Sequence, residues 1–117
     1  MDTKEIKALN IKLLEHSGFK KLDEEGNWWL DGALELPYHA MPDFVGSLDA
    51  QRVYLYPKLI ADEYFDGIDL TYDHLKNQWL CYLNFLGDYG IYCIPSEGIY
   101  AKNPAEAFAL AFEKMIG

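Results

Sequence analysis

Gln78-Trp79-Leu80-Cys81-Tyr82-Leu83-Asn84-Phe85-Leu86 decides the fold of this chain. Apolar residues occupy both alternating phases, so the stretch reads as a central strand covered on most of both faces. On its N-terminal side, Ile68, Leu70 and Tyr72 alternate with Asp69, Thr71 and Asp73, the pattern of a half-exposed strand. On its C-terminal side, Gly87-Asp88 makes a turn and Tyr89 to Ile94 returns as a further strand, followed by Pro95. Ser96 to Ala101 reads as a loop or a short edge strand.

Helices flank this sheet. Asp2 is placed to cap a first helix with Glu5 at the third helical position, and Ile6, Leu9, Leu13 and Leu14 fall on one face. Ser17-Gly18 ends it, glycine suiting the left-handed position after a helix. Phe19-Lys20-Lys21-Leu22 and Trp28-Trp29-Leu30, separated by a polar run ending in Gly26-Asn27, read as a hairpin. Residues 31–46 hold Gly32, Pro37, Pro42 and Gly46 and read as a long loop, a candidate working surface in so small a domain. Ser47 caps a second helix reaching about Ala61, with Asp49 in its first turn and Pro57 kinking it or ending its first half near Tyr56. Asn103 as cap, Pro104 at the first helical position and Glu106 at the third mark a last helix. Its apolar stripe is Ala105, Phe108, Ala109, Phe112, Met115 and Ile116. The expected fold is α+β: a single domain over residues 1–117, with a mostly antiparallel sheet of about five strands packed by three helices. The order is α-β-β-α-β-β-β-α, with the first and last helices covering the sheet.

Half of the 117 residues are hydrophobic and 15% are aromatic, enough for one real core. No apolar run approaches the roughly 18–20 residues that span a bilayer. The polar start, Met1-Asp2-Thr3-Lys4-Glu5, is not that of a secretory signal, so the expected location is the cytoplasm. Cys81 and Cys93 lack metal-ligand spacing and read as buried thiols in a reducing compartment. The net charge of −9, from 19 acidic and 10 basic residues, argues against nucleic-acid backbones and anionic membranes and suits a basic surface on a partner protein.

Asp62, Glu63, Asp66, Asp69 and Asp73 lie between Lys58 and Lys76 without an intervening Lys or Arg. Asp69 and Asp73 share a strand face roughly 13 Å apart at about 3.3 Å per residue. That separation is too wide for two carboxylates acting on one bond. The stretch reads either as a solvated strand face or as a docking surface for a basic protein site; Asp62 to Asp69 with Gly67 only loosely resembles a calcium loop. His16, His39 and His74 show no zinc spacing. Ser47 is not in a nucleophile elbow, and no phosphate-binding glycine loop is present. Trp28 and Trp29 cannot both face inward from one strand, which leaves an aromatic side chain for an interface or for a covering loop.

Three pieces carry a family resemblance. They are Leu14-Glu15-His16-Ser17-Gly18-Phe19 followed by Trp28-Trp29; Pro42-Asp43-Phe44 with Ser47-Leu48-Asp49-Ala50 and Tyr56-Pro57-Lys58-Leu59; and Asn103-Pro104-Ala105-Glu106-Ala107 through Ala111. Together they resemble the phage ABA sandwich domain family of small phage and prophage proteins. The resemblance implies an α/β sandwich and a phage or prophage origin, hence the cytoplasm of a bacterial host, and supplies no catalytic residue.

The expected activity is therefore binding without catalysis, metal or cofactor, by a phage-type accessory protein whose target class is a host protein, including those of antiviral defence. The expected contact residues are Trp29, Tyr38, His39, Asp66, Asp69 and Asp73. A second reading is a small-molecule binder that sequesters a nucleotide signal between residues 31–46 and the hairpin, with the helix start at Ser47 facing phosphate. The shortage of Lys and Arg weighs against it. An enzyme is the third reading. Aromatic content and open sheet edges are compatible with a homodimer.

Overall fold

α1 (Thr3–His16) forms where the sequence predicts it, because Asp2 Oδ1 accepts the Glu5 amide at 2.8 Å and Gly18 takes φ 103° just past the helix end. The computed structural model describes residues 2–21, 27–30, 34–37 and 41–117, with the backbone alone for 27–30 and 34–37. Within these residues the fold is α+β. The strands β1 (Phe19–Lys21), β2 (Asn27–Leu30) and β3 (Leu34–Pro37) make one antiparallel sheet. Next come α2 (Leu48–Tyr54) and α3 (Tyr56–Ile60), and then β4 (Phe65–Asp73), β5 (Gln78–Gly87) and β6 (Gly90–Ala101), which form a second antiparallel sheet in that order. The chain closes with α4 (Pro104–Ile116).

Five strands and three helices are corrected to six and four among the described residues, divided between two three-stranded sheets. The extra strand lies where a loop was expected: Leu34–Pro37 pairs with β2, Leu36 opposite Trp28 and Glu35 opposite Trp29. Its prolines and glycines bound the strand rather than forbid it, since Pro37 sits at the strand end, where no ladder donor is needed. The extra helix comes from Pro57. α2 closes at Leu55, and Pro57 occupies the first turn of α3, where its missing N–H costs nothing. The loop or short edge expected at Ser96–Ala101 is part of β6, reached after a register shift opposite Tyr82.

α4 is the centre of the fold. Ala105, Ala107, Phe108, Ala109, Ala111 and Phe112 are all buried, so the helix is covered on more than the single stripe expected. It packs on β5 and β6 on one side and meets α1 and α2 on others. Its alanines permit close approach, and Phe108 and Phe112 fill the space between layers. Each fully buried phenylalanine contributes about 1.5–3 kcal/mol by transfer. The covering role expected for α1 is corrected accordingly: its stripe packs against α4 and β1, with α4 between it and the larger sheet.

A buried polar clip fixes the approach to α2. Asn10 on α1 donates Nδ2 to the Pro42 carbonyl at 3.1 Å, and its Oδ1 accepts the Phe44 amide at 2.6 Å. Gln51, fully buried on α2, donates Nε2 to the Phe44 carbonyl at 2.6 Å and to the Ala105 carbonyl at 2.7 Å. Pro42 to Gln51 is thereby tied to three helices at once. Backbone groups that leave the helical ladder here find side-chain partners, as buried polar groups require.

Candidate interaction face

Strand alternation divides the larger sheet. Cys81, Leu83 and Phe85 of β5 are buried on the α4 side. Leu80, Tyr82 and Asn84 alternate with them, point the other way and stay half-buried. The expectation that β5 is central is met, but its second face is open rather than mostly covered. Antiparallel register brings Asp69 opposite Tyr82, Thr71 opposite Leu80 and Asp73 opposite Gln78. Across the next ladder, Asn84 faces Cys93 and Leu80 faces Tyr100.

Polar atoms on this open face are joined across the strands. Asn84 Nδ2 donates to Asp69 Oδ2 at 2.8 Å, and Cys93 Sγ donates to Asn84 Oδ1 at 3.2 Å. The Tyr100 hydroxyl donates to Asp73 Oδ2 at 3.1 Å. Asp73 also begins the β4–β5 turn, its Oδ1 accepting the Leu75 amide at 2.9 Å and the Lys76 amide at 3.3 Å. Lys76 Nζ rests 4.1 Å from the centroid of the Tyr100 ring. Among the described residues the donors named here are neutral, so these hydrogen bonds orient the carboxylates, and Lys76 adds a positive charge near Asp73.

Titration follows this geometry. Partial burial raises the Asp73 carboxyl, but the Lys76 and Leu75 amides, the Tyr100 hydroxyl and the Lys76 charge outweigh it and hold the group below its ordinary value. The Asp69 charge, then burial, pushes the Tyr82 hydroxyl up. Burial, then the Asp69 charge, pushes the Cys81 thiol up to about 12. Cys81 is an inert core thiol at neutral pH. Cys93 differs from the buried thiol expected of it: it is half-buried, on the open face.

The expected contact residues divide three ways. Asp69 and Asp73 do share a face, and Asp66 sits exposed at the bulge between Phe65 and Gly67. Trp29 lies on β2 opposite Lys20 and Glu35, with only its backbone described. Tyr38 and His39 lie outside the described residues, and with them the pocket imagined between residues 31–46 and the hairpin. Sequence reading overlooked Tyr82, Asn84 and Tyr100 as partners of the acids, and Cys93 as a partner of Asn84. The polar tips of Tyr82 and Asn84 in one phase of an otherwise apolar strand were the available signal.

Elsewhere, Ser47 Oγ accepts the Ala50 amide at 3.1 Å, so the serine serves as a helix cap. An open groove of about 420 Å³ between α1 and α4 is lined by Glu5, Ala8, Leu9, Lys12, Leu110 and Glu113. Lys12 pairs with Glu113 there at 3.7 Å, which leaves the groove acidic and ill-suited to a phosphate. Among the described residues, no three His, Cys, Asp or Glu side chains are grouped to hold a metal ion, and no helix is long and apolar enough to cross a membrane. Comparison with protein-family models, with curated proteins and with solved structures finds no match to this chain.

Proposed function

We propose that the chain is a non-catalytic binding protein whose β4 acids and adjoining open sheet face dock a basic surface on a partner protein. The supporting observation is the pair Asp69 and Asp73, fixed by hydrogen bonds from neutral donors, with exposed Asp66 on the same strand. Carboxylates already oriented by Asn84 and Tyr100 lose little freedom when a cation arrives, which favours binding. Tyr82 and Tyr100 between them supply aromatic surface of the kind enriched at interfaces. The net charge of −9 draws a basic partner in by long-range attraction. With the phage-type resemblance of Pro42–Leu59, the reading extends to an accessory protein of phage or prophage acting on a protein of its bacterial host, in the cytoplasm.

The test starts from bait capture in bacterial lysate, followed by titration of each purified candidate partner. Asp66→Asn, Asp69→Asn and Asp73→Asn combined keep acceptor oxygens for the internal hydrogen bonds and remove three charges. Binding should weaken at least tenfold and lose most of its salt dependence. Equal affinity of the triple variant for every captured partner rejects the acidic face as the site.

A further inference from the structure

The two edges of the larger sheet are built differently. β4 is an edge strand, and it carries Asp66, Asp69 and Asp73, with a bulge between Phe65 and Gly67. Charge and bulge are the usual means by which an edge resists pairing with another chain. β6 is the other edge. Its second half is guarded by Pro95, which lacks an N–H, by Glu97 and by the register shift between Ile94 and Ile99. Its first half has none of these. From Tyr89 to Ile94 there is no Asp, Glu, Lys, Arg or Pro.

That unguarded half also carries exposed apolar side chains. Tyr89 at the hairpin tip is 105% exposed, Ile91 60%, Tyr92 49% and Leu86, opposite Ile91, 48%. Among the described residues no strand pairs with β6 on this side. Alternate residues of Gly90–Ile94 therefore aim backbone N–H and C=O groups outward beside an apolar surface.

We infer that the occupant of this edge is a second copy of the chain, joined by antiparallel pairing of Gly90–Ile94 about a two-fold axis near Tyr92. Three observations favour a copy over a foreign strand. First, the segment is uncharged and self-complementary, as an isologous contact must be. Second, Tyr89–Ile94 holds no carboxylate, so the paired stretch itself places none opposite another; Asp88 and Glu97 flank it and meet only at the two ends of the seam, a repulsion that salt screens. In the resulting order β4-β5-β6-β6-β5-β4 the acidic edges stand about 24 Å apart, at five strand spacings, beyond the Debye length at physiological salt. Third, the four side chains offer roughly 500 Å² per protomer, taking about 200 Å² for a fully exposed large side chain. The pair can bury at most about 1,000 Å² of these side chains, which with the paired backbone approaches the area at which a specific interface begins. The dimer keeps both open faces on one side of a continuous sheet and both copies of α4 on the other. The inference does not depend on the binding role of the acids.

Analytical ultracentrifugation over a concentration series tests it. The wild-type chain should reach twice its 13.5 kDa mass, with the dimer strengthened by added salt as repulsion is screened. Ile91→Lys places a charge at the pairing edge twice per dimer and should raise the dimer Kd on the order of a hundredfold or more. Thr71→Lys, on exposed β4, should leave the dimer intact. Tyr89→Asp, at a fully exposed position, adds an acid beside Asp88 at each end of the seam, supplies an independent reading and should weaken the dimer in the same direction. Circular dichroism melts verify that each variant is folded. A wild-type monomer at every concentration, a dimer indifferent to both β6 variants, or a dimer broken by Thr71→Lys overturns the inference.

Discussion

Gln51→Leu isolates the polar clip that sets the approach to α2. Leucine nearly conserves the volume of this fully buried side chain, so the cost is one of hydrogen bonding rather than of a cavity. The Phe44 carbonyl loses the Gln51 donor seen at 2.6 Å and is stranded out of water, at about 1–3 kcal/mol. The Ala105 carbonyl loses its 2.7 Å contact but keeps the helical donor four residues on, so its share is about 0.5–1.5 kcal/mol. Against this, Gln51 Oε1 has no hydrogen-bond partner among the described residues, and removing it returns about 1 kcal/mol. The net expected loss is about 2 kcal/mol, or about 8 °C in Tm for a domain of this length. Urea titration by circular dichroism measures it, with an unchanged m-value showing that the folded state is otherwise the same. Hydrogen exchange should speed first at the Phe44 amide, which Asn10 holds at 2.6 Å. Gln51→Glu supplies the pH control. Its carboxylate would face two carbonyl oxygens, so the folded pKa is raised above the unfolded value of about 4.3; the charge-dependent deficit should be full above the raised folded value, narrow as pH falls through it, and vanish below the unfolded value. A Gln51→Leu protein as stable as wild type, or a Gln51→Glu deficit independent of pH, refutes the clip.

Phe112→Asp buries a carboxylate on α4 where the ring packs edge-on against His16 of α1 and leaves an unfilled space, a loss of well over the about 3–5 kcal/mol of a large aromatic truncation; circular dichroism should show no cooperative unfolding, and an unchanged melt would remove Phe112 from the core. Cys93 should react with a thiol reagent in the folded protein while Cys81, its thiol raised to about 12 and buried, reacts only after denaturation; peptide mapping of the labelled chain decides, and equal labelling contradicts the assignment of the two faces. The Asp73 carboxyl is depressed in the fold, so its stabilising contacts are fully present above its ordinary value of 3.8 and are lost as pH falls through the lower folded value. Asp73→Ala should therefore flatten the fall in stability below pH 3.8, and an acid limb identical to wild type counts against the turn contacts.

Local chemistry was legible where one residue decides one bond. Asp2, Ser47 and Asn103 each cap the helix that follows, accepting the amides of Glu5, Ala50 and Glu106. Pro57 divided its helix near the expected place. Legibility failed where a partner far along the chain decides. Leu34–Pro37 has too little β-pattern to announce a strand, and only the neighbouring β2 makes it one. Asn10 and Gln51 read as ordinary surface positions of their helices, because the groups that satisfy them belong to Pro42, Phe44 and Ala105. The acids show the same division. Their common face followed from period two, while their bonds to Asn84 and Tyr100 depend on a register that turn geometry sets.

The two sheet edges have opposite electrostatics, and this makes their roles separable in one experiment. Docking of a basic partner on β4 gains from Coulomb attraction between unlike charges, so salt weakens it. Self-pairing along Gly90–Ile94 gains from apolar burial and backbone bonds and is opposed by repulsion between chains of charge −9, so salt strengthens it. The two surfaces lie on opposite edges of a three-stranded sheet, so occupation of one leaves the other free. Sites this far apart, with no shared residue, should act additively. Ile91→Lys should therefore abolish self-association while leaving per-chain affinity for a basic partner intact. The combined Asp66, Asp69 and Asp73 substitutions should do the reverse, removing partner binding while leaving the dimer in place, because those acids stand beyond the Debye length from one copy to the other. If both properties instead moved together under either change, one edge would be serving both contacts, and the division of labour between β4 and β6 would be wrong.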